Sequence, residues 1–293
     1  VRFAFTDDQL ALRDAVRDLL AKECPPEVVR AAWPEPDADG QGPGAGARST
    51  PGQLAAVWQH LADIGVLGLL VPEAQGGLGF DEVAAALVLE ETGYVAVPHP
   101  VVEAVCVAAP ALGDPAPGRE AIGWGEAALP GEVVDRSLVV RGPGTEVDAQ
   151  AFDRAALGTA AQLIGLSRRM LDLTVAYVID RHQFGVPIGS FQAVKHHLAD
   201  ARLQLEFATP AVYRAAWSLG TGAPTAERDV SMAKALASDC AHVVGRKALQ
   251  CHGGIGYTVE YDLHLLLKRA WALATLWGDA AWHRDRVGRA LGI

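Results

Sequence analysis

Two segments of this chain gather chemically able residues at short spacing. The first, RHQFGVPIGSFQAVKHHLADA (181–201), opens on an arginine at the end of a stretch, 151–180, whose patterning predicts a helix. A guanidinium there offers two parallel donors to a diphosphate. Phe184 adds a flat apolar face of the sort on which a nucleotide ring packs, and Gly185 breaks the helix. The second, QCHGGIGYTVEY (250–261), sets Gln250, both donor and acceptor, ahead of Gly253, Gly254 and Gly256. Without Cβ atoms, such glycines let backbone N–H groups approach an anion. The plainer alternative is an Arg181 ion pair and glycines that merely end a helix. Each motif alone allows that alternative; the two together favour an anion site.

Other polar residues point elsewhere. His196 and His197 are adjacent on a helix and so face different ways, and Cys251-His252 has no second pair at ligand spacing; both read as structural, and no metal is expected. Trp271, Trp277 and Trp282 read as core or interface, with the spacing of one buried helical surface. Acidic residues outnumber basic ones 35 to 25, for a formal charge of −10, and the arginines are scattered. The basic stripe needed for a nucleic-acid backbone is missing, so no nucleic-acid partner is expected. Four cysteines lie far apart without a CxxC pair, which fits a reducing, cytoplasmic home. Asp7 and Asp8 stand where a secretory signal would carry its apolar core. The apolar stretch 95–112 is broken by Pro98, His99, Pro100, Glu103 and Pro110, so no membrane insertion is expected.

The elements that must position these motifs are helical. Thr6 is placed to cap a first helix carrying Leu10, Leu12, Val16, Leu19 and Leu20. Residues 33–52, dense in Pro, Gly and Ala, read as a mobile surface loop, with a binding loop as the alternative. Leu54, Val57, Trp58, Leu61 and Ile64 predict a second helix, and GLLVPEAQGGLGF (68–80) a turn that lacks the frame of a phosphate loop. Asp81 then caps a helix that includes Glu90 and Glu91 and is expected to end at Gly93. From 113 to 150, Gly and Pro leave only short β-like fragments. Helices are predicted at 151–180, 190–219 (interrupted at Pro210), 223–252, 259–276 and 279–291. The fold class is mainly α: an N-terminal helical domain 1–112, a reduced β-domain remnant or linker 113–150, and a C-terminal helical bundle 151–293.

With PEAQGGLG (72–79) and EETG (90–93), the two chemical segments resemble the acyl-CoA dehydrogenase family in order, spacing and wording, from Phe3 to Arg284. The resemblance implies that family's helical domains and an FAD shared across a subunit interface, with the ADP half of one subunit's flavin on its neighbour's arginine and glutamine–glycine motifs. On this chain Arg181, Phe184, Gln250, Gly253 and Gly254 would hold the diphosphate and adenosine. Gln183, Gln192 and Gly256 are secondary candidates that serve turn geometry equally well.

The departures carry as much information. Members of the family abstract an α-proton from an acyl thioester with a glutamate, because the base must accept a proton in an apolar pocket near neutral pH. Counted without gaps from Gly253, that position holds Trp277; the alternative base position, on the helix leading to the arginine motif, holds Ala155. Asp279 is nearby but reads as the N-cap of the last helix. Nothing in 113–150 matches the family's contacts to the isoalloxazine ring. The resemblance therefore implies no catalytic residue here, but a non-catalytic, FAD-site-completing subunit of a heteromeric enzyme. Such a chain resembles one of the paired subunits of α2β2 actinobacterial steroid-degrading acyl-CoA dehydrogenases. Its partner would be a full-length subunit that carries the catalytic glutamate and most of the acyl-CoA site. Two alternatives stay open: a self-sufficient flavoenzyme using Asp279 or Glu260, and a flavin-free scaffold.

Overall fold

The computed structural model describes residues 4–32, 51–113, 115 and 148–293. Nearly all of the 33–52 loop and most of the 113–150 segment lie outside the described residues. Helix α1 (Asp7–Glu23) starts as its sequence directs: the Thr6 hydroxyl accepts from Gln9 N at 3.2 Å, and the Gln9 side chain accepts from Thr6 N at 3.0 Å. After α2 (Pro26–Ala32) and α3 (Pro51–Asp63), residues 65–80 form the expected turn, closed by Phe80 N–H donating to Leu69 O at 3.0 Å. Asp81 caps α4 (Glu82–Tyr94) by accepting from Ala84 N at 2.9 Å.

Gly93 does not end α4, contrary to the sequence expectation; the helix runs on to Tyr94 with Val95 as its cap. Its glycine serves a crossing instead. A Cβ on Gly93 would lie 2.2 Å from the Gln162 carbonyl oxygen, and one on Gly165 would lie 1.9 Å from that of Glu90. The missing side chains let α4 touch α7 (Ala149–Asp180) backbone to backbone. Beside the crossing, Arg168 bonds Glu90 at 2.5 Å and Glu91 at 2.9 Å, Arg17 reaches Glu91 at 2.8 Å, and the Tyr213 hydroxyl donates to Glu90 at 2.5 Å. Burial pushes Glu90 up, whereas for Glu91 bonds from Arg17 and Arg168 overcome burial and hold it below the usual range. The EETG segment thus ties the N-terminal helices to the bundle.

The stretch after Pro100 is helical: α5 (Val101–Glu103) runs through a π-helical turn (Ala104–Ala108) into α6 (Ala109–Leu112). The bundle is α7, α8 (Gln192–Gly220) and α9 (Ala226–His252), flanked by α10 (Leu263–Thr275) and α11 (Ala280–Leu291). Pro210 does not interrupt α8. It forfeits one backbone bond, but Leu205, Ala208 and Val212 are buried on both sides of it, and that packing carries the helix through. Strand among the described residues is limited to a hairpin of β1 (His182–Gln183) and β2 (Val186–Pro187), antiparallel with His182 opposite Pro187. No helix among the described residues is long and apolar enough to cross a membrane.

Candidate functional site

Helices α7 and α9 end side by side, and each end carries one of the two motifs. Arg181 is the C-cap of α7, its N–H donating to Tyr177 O at 2.8 Å. Ile188 N–H donates to Arg181 O at 2.8 Å and closes the loop that holds the hairpin. At the hairpin's tip Phe184 has φ +54°, unusual for a side-chain-bearing residue, and Gly185 has φ +80°. Phe184 is 94% exposed, and its ring meets only the edge of Phe191 among the described aromatic contacts. The Arg181 side chain is exposed, and among the described residues no carboxylate lies within ion-pair distance of it. Gln183 donates back to His182 O at 2.7 Å within its own hairpin. Gln192 opens α8, whose N-cap, Phe191, has no side-chain cap.

At the end of α9, Gly253 sits at φ +61°, ψ −139°, a region for glycine alone, and starts a 3₁₀ turn, Gly253–Tyr257. Gly254 has an ordinary φ, and a Cβ there would meet nothing within 4 Å, so nothing among the described residues demands a glycine. Gly256 differs: it is buried, and a Cβ would press on His252 Cβ at 3.0 Å and Leu249 Cδ1 at 3.1 Å. Its glycine serves the turn. Gln250 is exposed beside them.

One aromatic stack locks the two motifs together. The buried His252 ring lies 4.4 Å from Tyr177 and 4.7 Å from Tyr261, and the Tyr177 hydroxyl donates to His252 O at 3.5 Å. Burial lowers the His252 pKa, so the ring is neutral, with Nδ1 paired to Ala248 O at 2.8 Å. An exposed guanidinium, an uncapped helix start and a glycine with open space beside it are groups able to meet an anion. These residues fit the ADP half of a flavin.

The region around Trp277 is built the other way. Trp277 is buried at φ +56°, and its Nε1–H donates to Glu103 Oε1 at 3.3 Å. Phe152 packs edge-on at 5.9 Å. His283 Nε2 bonds Trp277 O at 2.9 Å, and the fully buried Lys234 ammonium donates to Ala274 O and Gly278 O, both at 3.0 Å, and to Ser238 Oγ at 3.3 Å. Burial pulls Lys234 down to about 7 and His283 to about 4, and pushes Glu103 up. Asp279 caps α11, accepting from Trp282 N at 2.8 Å, as its sequence position predicts. Ala155 is fully buried in α7, and Glu260 is exposed.

Sequence reasoning passed over Glu103, Lys234 and His283. A signal existed for Lys234, which lies in helical phase with Val230, Ala233, Ala237 and Ala241, a cation on an apolar stripe. The three tryptophans do not share one buried surface: Trp277 is buried, but Trp271 is 52% exposed and Trp282 38%. The spacing crosses a helix end, so it does not trace a single face. No cluster of three or more metal-ligating side chains exists among the described residues.

Residues 6–113 match the family model for the acyl-CoA dehydrogenase N-terminal domain, and residues 142–292 match the one for its C-terminal domain. The chain belongs to the acyl-CoA dehydrogenase family. Between the helical parts of this acyl-CoA dehydrogenase lie residues 114–141 (141 − 113 = 28 residues), so its middle β domain is reduced. It is 32% identical to acyl-CoA dehydrogenase IpdE2 of Mycolicibacterium smegmatis, covering 93% of this chain and 95% of that one. IpdE2 of Mycobacterium tuberculosis is 30% identical over 92% and 93%. Its fold matches the ChsE4-ChsE5 complex of Mycobacterium tuberculosis (TM-score 0.77, 24% identity, 100% and 99% covered) and the Tcur3481-Tcur3483 steroid ACAD (TM-score 0.78, 22% identity, 98% of each).

Proposed function

We propose that this chain is a non-catalytic subunit of a heteromeric acyl-CoA dehydrogenase. It completes the FAD site of a full-length partner subunit, which supplies the catalytic glutamate and most of the acyl-CoA site. The flavin, when bound, supplies the hydride acceptor for α,β-dehydrogenation. This chain's residues would bind and orient it: Arg181 would donate to the diphosphate with the N–H groups at Gly253 and Gly254, Gln250 would bond polar edges, and Phe184 would offer the adenosine a face. Gln183, Gln192 and Gly256 act through the turns that hold these groups. The observations that carry the reading are Gly254, whose Cβ would meet nothing within 4 Å, and the exposed Arg181, which has no ion pair among the described residues.

The base position supports the same reading. An indole cannot accept the α-proton, and Trp277 is committed to Glu103. Asp279 is committed to its helix cap, which weighs against a self-sufficient enzyme using it. An α2β2 assembly and a steroid side-chain thioester as substrate are proposed because the ChsE4-ChsE5 complex and the Tcur3481-Tcur3483 steroid ACAD share this fold. Four free, buried cysteines fit a cytoplasmic setting.

The test is Arg181→Ala in the assembled complex. Charge-assisted hydrogen bonds contribute ~1.5–3 kcal/mol each, so losing two weakens FAD binding by about two orders of magnitude or more. Flavin absorbance after gel filtration reads the outcome; retention at wild-type occupancy contradicts the assignment.

A further inference from the structure

A cavity of about 270 Å³ opens where α1, α2, the end of α4, α7 and α10 meet, its Asp262 following Tyr261 of the aromatic stack. Its wall is mostly apolar, with Val29, Ala96, Leu173, Leu265 and Leu266, and Arg169 stands on its lining. We infer that this cavity binds a small amphipathic carboxylate, apolar body inward and carboxylate on the Arg169 guanidinium.

Two neighbouring arginines make the case by contrast. Arg168 and Arg169 both lie against the Tyr94 ring, at 4.7 Å and 5.4 Å from its centre. Arg168 spends its donors on Glu90 and Glu91. Arg169, half-buried, has no hydrogen bond or ion pair among the described residues. The nearby carboxylates are engaged elsewhere: Asp172 accepts from the Tyr94 hydroxyl at 3.0 Å, and Asp262, on the cavity wall, accepts two bonds from Arg30, at 2.6 and 3.1 Å. A half-buried guanidinium beside an apolar hollow is matched by an anionic head on an apolar body.

Size limits the ligand: at about 30 Å³ per water-sized unit, the cavity takes about nine non-hydrogen atoms. Octanoate, with its carboxylate at the rim, is of that size. The inference is independent of the proposed function, since Arg169 is not among the residues assigned to FAD.

The experiment is calorimetric titration of the full chain with octanoate near neutral pH and low salt, with octylamine as the charge-reversed control. Saturable octanoate binding is expected, at least tenfold tighter than octylamine, and at least tenfold weaker in Arg169→Gln. Leu266→Trp, which fills the cavity, should abolish it in a chain that retains its helical circular dichroism. If that variant does not fold, the Arg169→Gln and octylamine comparisons decide alone. No saturable binding by the wild type, equal binding of octylamine, or unchanged affinity in either folded variant overturns the inference.

Discussion

At the end of α9 a side chain on Gly254 would find open space; in the turn after α10 a side chain on Gly278 would lie 2.8 Å from both His283 and Trp282. The same contrast holds for the polar groups. Arg181 has no ion pair among the described residues, while Lys234 donates to Ser238 Oγ, Ala274 O and Gly278 O, and the indole nitrogen of Trp277 bonds Glu103. The proposed reading leaves such exposed groups for an outside ligand. Groups around Trp277 are bonded to one another, so that region is interior in chemistry as well as in place.

The harshest way to break this comparison is Trp277→Glu. It restores a carboxylate where the family resemblance expects one but sets it beside the buried Glu103. An uncompensated buried charge costs about 3–5 kcal/mol, and the denaturation midpoint should fall accordingly. The variant chain alone should not oxidise an acyl-CoA; steady-state turnover would move the assignment to a self-sufficient flavoenzyme.

Lys234 sharpens the buried side through pH. Its folded value of about 7 lies below its ordinary 10.5. Between these values the unfolded chain holds a proton that the folded chain lacks, so this group makes stability rise with pH. The slope is up to about 1.4 kcal/mol per unit above pH 7. Urea midpoints at pH 7, 8 and 9 should climb in the wild type, and Lys234→Met should lose that component. Parallel slopes in the two proteins would show that Lys234 is not held near 7.

The two glycines give the smallest and cleanest comparison. Gly278→Ala should destabilise the chain by about 1–3 kcal/mol, since it adds crowding at positive φ. Gly254→Ala should stay within ~0.5 kcal/mol in thermal unfolding yet lower flavin occupancy in the complex. Equal stability losses would erase the distinction between the two regions.

What the sequence made legible was local. Thr6, Asp81 and Asp279 act on backbone N–H groups a few residues away, so their caps can be read without knowing the fold. The arginine and glycine segments could be placed at helix ends because each is a continuous run. Gly93 was not, because its use depends on Gln162, a helix crossing far along the chain. Glu103 and Trp277 are 174 residues apart, and no spacing rule joins them. That Trp277 falls where the resemblance expects a base could be read from register; its bond to Glu103 could not.

Flavin stoichiometry tests the central claim most directly. If each FAD needs an ADP half-site from this chain and an isoalloxazine half-site from its full-length partner, an α2β2 complex holds two complete sites. Complex of known subunit ratio, with released flavin measured by absorbance, should give one FAD per heterodimer. One FAD per chain would mean that residues 113–150 still build a flavin cradle, and would contradict the reading of this subunit as half a site.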